Sequence, residues 1–296
     1  MTYLEKYKII VASDCKRIYK AKGYHFKRLK VLENEGYIMR VNRYYIKLAT
    51  RGTRLMREIG YDYHRICRTN EYQDRVKEIT KIAALTIDSE IEFLSSWEMK
   101  DRGILTEKGR KFIGELTFQG KKWICYYISK DKEYTYTRQL INDIQKTMDY
   151  KNVLIFVDNY KYFSKSNQYF RVGKESTVII KASKENLEKM RLFQRIDLYD
   201  VIKQYYKGKE VLLSAWKKAD YMTETREYII LMPFIDTEKL HKLNIFYKNN
   251  RKSNRKIDII TLKENKEKIK EILTETANII ELDDLLGGVD GEHQEI

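Results

Sequence analysis

Between Gly23 and Gly52 the chain reads GYHFKRLKVLENEGYIMRVNRYYIKLATRG, and this stretch restricts the architecture more than any other. Phe26, Leu29 and Leu32 recur at helical spacing, which predicts a helix from Tyr24 to Glu35 with those three side chains inward. His25, Lys27, Arg28 and Lys30 fall on its other faces. Gly36 stands where a helix is closed by a left-handed residue. The following residues alternate, predicting two short strands, Tyr37 to Arg40 and Tyr44 to Lys47, joined at Val41-Asn42-Arg43. Thr50 is the expected N-cap of a helix from Arg51 to Ile59.

A basic helix followed by a two-stranded ribbon and a return helix is the pattern of a winged helix-turn-helix. Such a module places a helix in the major groove of DNA and a hairpin beside it. On this reading His25, Lys27, Arg28 and Lys30 meet the groove, and Arg40, Asn42 and Arg43 meet the flanking minor groove or backbone. Arg51 completes the DNA-contacting candidates. The charge is placed accordingly. Residues 1–70 carry 17 basic and 6 acidic side chains, residues 71–150 balance at 14 of each, and residues 151–280 carry 27 against 17. The formal net charge of +15 is therefore gathered at the proposed reader and in the second half, as a polyanionic partner requires.

Several chemistries lack their residues. Cys15, Cys67 and Cys125 are odd in number and far apart, so they indicate neither a zinc site nor a disulfide framework. They read as packing residues of a reducing cytoplasm. No apolar run approaches the ~20 residues of a membrane span, and the N-terminus lacks the pattern of a signal peptide. The expected location is the cytoplasm, with no membrane partner. The 13 glycines are scattered singly, which removes a phosphate-cradling loop. The four histidines, 25, 64, 241 and 293, form no metal pair. A single Pro with abundant Lys, Ile, Tyr and Asn suggests an AT-rich, bacterial coding sequence.

Around the reader, helices are expected from Tyr3 to Ile10 and from Ser13 or Asp14 to Ala21, the second with Ile18 inward. Tyr61 to Asn70 bridges out of the domain. Val76, Ile79, Ile82 and Leu85 give a long helix over Glu71 to Ile87 its buried stripe. Strands are expected at Ile91 to Leu94, Lys111 to Gln119 and Lys122 to Ser129, with Trp97 buried, and a helix over Tyr136 to Met148. NVLIFV and STVIIK are continuous apolar runs, the mark of strands buried on both faces. REYIILMPF and KIDIITL repeat the pattern, with helices at Lys184 to Arg195, Thr237 to Lys242 and Lys263 to Ile280. The expected class is α+β: an N-terminal winged helix-turn-helix over 1–66, an α/β mixed-sheet domain over 71–205, a further α/β segment over 206–280, and an acidic flexible tail over 281–296.

FKRLKVLENEGYI, YYIKLATRG, EYQDRVKEITKIAAL, IEFLSSWEMKDRG, KFIGELTFQGKKWICYYISK and NVLIFVDN occur in an order that resembles the replication-relaxation family of plasmid and conjugative-element proteins. The resemblance spans roughly residues 3–195 and is one of layout. It implies a restriction-endonuclease-like core in the second domain. An active core of that kind needs an acid on one strand and an acid-x-Lys on the next to hold a divalent metal. Here the resemblance offers Glu98, Glu115 and Lys130, with Asp131 nearby, but Ile128 stands two residues before Lys130. A hard cation loses an oxygen ligand there. The core is therefore expected to be inactive, with no favoured catalytic residue, no metal site and no cofactor.

The function expected is duplex-DNA binding for a plasmid, phage or integrative element, in replication, mobilisation or transcriptional control. One alternative is a relaxase or nickase using Mg or Mn through Glu98, Glu115 and Lys130. The other is an antitoxin-like transcriptional repressor. The expected partner is double-stranded DNA, and a homodimer and a protein partner for the acidic tail are further candidates.

Overall fold

The computed structural model describes residues 2–19, 23–41, 44–61, 70–87, 89–104, 111–129, 134–161, 172–193, 198–249, 255–273 and 277–282. Among the sequence expectations, Asn42, Arg43, His64, Cys67, Lys130, Asp131 and the tail from 283 lie outside them. The protein is a mixed α+β chain with several sheets. It divides into two compact units, Met1–Lys121 and Lys122–Ile296.

The first unit opens with α1 (Thr2–Tyr7), which is shorter than expected. Lys8 takes a left-handed φ of 68°. The β-branched run that follows then leaves the helix to form β1 (Ile9–Val11). A single turn of 3-10 helix leads into α2 (Cys15–Tyr19), where Ile18 points outward rather than inward. Next come α3 (Tyr24–Asn34), β2 (Ile38–Arg40), β3 (Tyr45–Leu48) and α4 (Thr50–Glu58). The N-cap of α4 is Ala49, one residue before the expected Thr50. The three strands pair antiparallel with β3 in the centre, Ile10 facing Ile46 and Arg40 facing Ile46 from the other side. Leu4, Ile10, Cys15, Leu29, Ile38, Ile46, Leu48 and Met56 pack into one core under this sheet.

The expected break near residue 70 is not a break in packing. In α5 (Asn70–Leu85), Val76, Ile79 and Ile82 are fully buried, and the Thr80 hydroxyl donates to the Tyr7 carbonyl at 2.9 Å. Burying each such side chain is worth about 1.5–3 kcal/mol. β4 (Glu92–Ser95), α6 (Ser96–Asp101) and β5 (Gly114–Phe118) complete the unit. β4 and β5 run antiparallel. Trp97 is half-buried, its Nε1 donating to Lys6 O at 3.1 Å.

In the second unit β6 (Lys121–Ile128), α7 (Tyr134–Lys146), β7 (Asn152–Val157) and β8 (Ser176–Lys181) build parallel pairs β6·β7 and β7·β8. Every residue from Val153 to Val157 is inaccessible to solvent, which accounts for the unbroken apolar run. After α8 (Lys184–Phe193) and α9 (Leu198–Tyr205) come β9 (Val211–Leu213), β10 (Tyr221–Thr223) and β11 (Glu227–Leu231). β12 (Ile235–Asp236) pairs antiparallel with β8 and feeds α10 (Thr237–Asn249). Then follow β13 (Lys256–Thr261), α11 (Lys263–Ile272) and β14 (Asn278–Glu281). A five-stranded mixed sheet has the order β14-β13-β11-β10-β9. The expected helix to Ile280 thus ends at Ile272. Ile279 and Ile280 instead pair parallel with Ile259 and Ile260, where β-branched side chains pack well.

Candidate nucleic-acid interface

The inner face of α3 is built from His25, Leu29 and the partly buried Leu32. Phe26, expected inward, is 55% exposed, whereas His25 is only 5% exposed. His25 is therefore corrected from a groove contact to a packing residue. Its Nδ1 is buried and has no hydrogen-bond partner among the described residues. The outer face carries Lys27, Arg28 and Lys30 together with Tyr24, Phe26 and Val31. Phe26, which the three-residue spacing assigns to the core, thus stands among the cations instead.

Local bonds fix this face. α3 ends as the sequence predicted: Gly36 has φ 74°, Tyr37 N donates to Leu32 O at 2.9 Å, and Gly36 N donates to Glu33 O at 3.0 Å. The turn sends the chain directly into β2. At the far end of β2, Arg40 Nε donates to Glu33 Oε2 at 3.2 Å, which ties the hairpin to the last turns of α3. Arg51 is held on the same side. Its Nη1 donates to Glu35 O at 3.2 Å, and its guanidinium carbon lies 4.7 Å from the Tyr37 ring centroid. A cation there also favours the carbonyl end of the helix. At the other end of α3, the rings of Tyr19 and Tyr24 meet edge-on at 6.0 Å. Burial raises the Tyr19 phenol above its usual range, with Cys15 adding to the shift. The neighbouring Arg28 guanidinium pulls it back by charge and hydrogen bonding.

Lys27, Arg28, Lys30 and Arg40 are thus each exposed to solvent, Arg51 is engaged at the helix end, and His25 is withdrawn. An eleven-residue helix is about 16 Å long, and the major groove admits such a helix with its side chains against base edges. Cations interspersed with an aromatic ring and a branched apolar side chain suit that groove. Charge meets phosphate and guanine, and apolar groups meet the thymine methyl.

The residues of the nickase alternative are placed differently. Glu98 occupies the N-terminus of α6, where its Oε2 accepts from Ser95 N at 3.0 Å and from the Ser95 hydroxyl at 2.6 Å. Its Oε1 pairs with Lys6 Nζ at 3.0 Å. Both oxygens are engaged in a capping box and an ion pair. Glu115 is buried in β5 and accepts from the Thr117 hydroxyl at 3.3 Å. Among the described residues, no group of three or more His, Cys, Asp or Glu side chains is gathered to hold a metal ion. Among the described residues, no helix is long and apolar enough to cross a membrane. No protein-family model, curated protein or solved structure matches the chain.

Proposed function

We propose that the first unit contains a winged helix-turn-helix and that the protein binds duplex DNA with the outer face of α3. The observation that carries this reading is the division of α3 into two faces. His25, Leu29 and Leu32 turn the helix towards the core, leaving Lys27, Arg28, Lys30 and Phe26 exposed to solvent. Lysines and arginines held on a fixed surface release condensed counterions when they meet phosphates, which supplies affinity. Arg28 and Lys30 are the candidates for base contacts, with Arg40 as the flanking backbone contact. The layout of the chain supports a site of action on a plasmid, phage or integrative element, at an origin, transfer site or promoter. The nuclease-like core is proposed as a scaffold, not an enzyme, because Glu98 is taken up in its cap and Ile128 stands where an acid is needed.

Selection of the protein against a random duplex library, followed by anisotropy titrations on the enriched duplex, tests this reading. A preferred sequence should emerge. Arg28→Ala and Lys30→Ala should each weaken binding to it by about 1–3 kcal/mol. Folded variants that bind like the parent would remove α3 as the reader. Absence of salt-dependent binding to any duplex would remove DNA as the partner.

A further inference from the structure

Lys27, Lys30, Val31 and Asn34 stand on α3 at the spacing i, i+3, i+4 and i+7, and all four are exposed. At about 100° per residue they form one row, spanning about 100° of the helix surface. Its centre lies about 180° round the helix from that of His25, Leu29 and Leu32, so the row faces directly away from the core. The end of the row is fixed. Glu35 N donates to Val31 O at 2.9 Å, which closes the helical turn that carries Asn34.

Two members of this row are uncharged. Lys27 and Lys30 suit phosphate and guanine, but Val31 and Asn34 cannot attract phosphate by charge. Val is among the poorer helix formers, and Val31 is 40% exposed, so it leaves much of its apolar surface in water. Neither helix stability nor attraction to phosphate accounts for a valine there. Among the described residues the Asn34 carboxamide has no hydrogen-bond partner, which leaves both its donor and its acceptor for a ligand. In the major groove that pair of groups matches N6 and N7 of adenine, and an apolar side chain meets the methyl of thymine. Cβ atoms three residues apart on a helix are about 5–6 Å apart, and successive base pairs are about 3.4 Å apart. One A·T pair, or two adjacent ones, therefore lies within reach of both side chains.

We propose that Asn34 and Val31 determine sequence specificity. Asn34 pairs with an adenine and Val31 packs on a thymine methyl, so the preferred duplex carries A·T pairs under the last turns of α3. This inference rests on the reading that the outer face of α3 binds duplex DNA.

The probe is the duplex enriched from the random library, bound by the full chain. Its thymines are replaced one at a time by deoxyuracil, which removes only the methyl, and its adenines by 7-deazaadenine, which removes only the N7 acceptor. At one adenine the change should weaken binding by the parent about fivefold or more, and at one thymine, in the same or the adjacent pair, about fourfold. Asn34→Ala should lose affinity for the unmodified duplex by about 5- to 100-fold and become insensitive to 7-deazaadenine at that position. Val31→Ala should become insensitive to deoxyuracil at the thymine. Both variants should keep the parent's dependence on salt, since neither removes a charge. Circular dichroism and thermal melting establish that each variant is folded. The proposal is overturned if the folded variants keep the parent's sensitivity at every position, or if no single A·T replacement affects the parent. If in either case Arg28→Ala and Lys30→Ala still weaken binding, the α3 reading stands alone. Duplex binding without any preferred sequence also removes this proposal and leaves DNA as the partner. If the parent binds no duplex at any salt concentration, both readings fall.

Discussion

A Cβ placed on Gly52 would fall 2.0 Å from the carbonyl oxygen of Tyr37, so the return helix passes the start of the hairpin with no room for a side chain. That same carbonyl accepts the Ala49 backbone N–H at 3.0 Å. An alanine at 52 must displace backbone, not a yielding side-chain tip. Gly52→Ala is expected to destabilise the first unit by about 1–3 kcal/mol, as overpacking does. Hydrogen exchange of the α3 and α4 amides gives the local value, and unchanged protection would contradict the close approach.

The ion pair between Arg40 and Glu33 makes a different prediction. Both side chains are more than a third exposed, so the pair contributes little to stability. On the DNA-binding reading, Glu33 matters as an acid facing phosphates and as a competitor for Arg40. Glu33→Gln is expected to leave the melting temperature nearly unchanged and to raise DNA affinity at low salt by up to about fivefold. Weaker binding by the folded variant would mean that Arg40 needs Glu33 to hold its position.

His25 and Arg28 are neighbours on α3 with opposite expected effects. Replacing His25 by Leu removes a buried nitrogen that has no partner among the described residues. Stability should rise by about 1 kcal/mol, and DNA affinity should not change. Arg28→Ala should do the reverse, lowering affinity and sparing stability. Loss of binding in folded His25→Leu would restore His25 to the interface.

The error over His25 shows what the sequence lacked. Phe26, Leu29 and Leu32 are separated by steps of three, and each such step drifts about 60° around a helix, spreading them over about 120°. His25, Leu29 and Leu32 span only about 60°, so they form the tighter stripe, although histidine is the less apolar residue. The closing Gly36, the strands flanking the hairpin and the buried run at Val153–Val157 were legible because each rests on a local rule. β1 and β14 were not. Both are short β-branched runs adjoining helical patterns, and only pairing with distant strands, β3 and β13, settles their conformation. The contacts of the Trp216 ring with those of Tyr228 and Phe246 were hidden for the same reason, since residues distant in sequence are brought together by tertiary structure alone.

In the second unit, the Asp236 carboxylate starts α10. Its Oδ1 accepts the backbone N–H of Glu238 at 3.0 Å and of Lys239 at 3.1 Å, and its Oδ2 accepts the Ser176 hydroxyl at 2.7 Å. Burial nevertheless raises its pKa, against the pull of those donors. Asp236→Ala should cost about 1–2 kcal/mol through the lost cap. Asp236→Asn keeps an acceptor for the helix amides and should cost less. Equal losses in denaturant titrations would show that the cap contributes nothing beyond the charge.

Cys15 gives the pH dependence its clearest test. The side chain is 3% exposed in the core of the first unit, and burial, assisted by the Asp14 charge, pushes its thiol up to about 11. An ordinary thiol in the unfolded chain ionises near 9.0. Between those values the unfolded state has lost a proton that the folded state retains, so rising pH favours unfolding, by about 1.4 kcal/mol per unit crossed. Below pH 9 the term vanishes. Cys15→Ala removes it altogether while leaving a small cavity. The variant should therefore be the less stable protein at pH 8, and the gap should narrow steadily by pH 10.5. Urea unfolding of both proteins across that range measures the difference directly, and a gap independent of pH would show that the buried thiol ionises as readily as a free one.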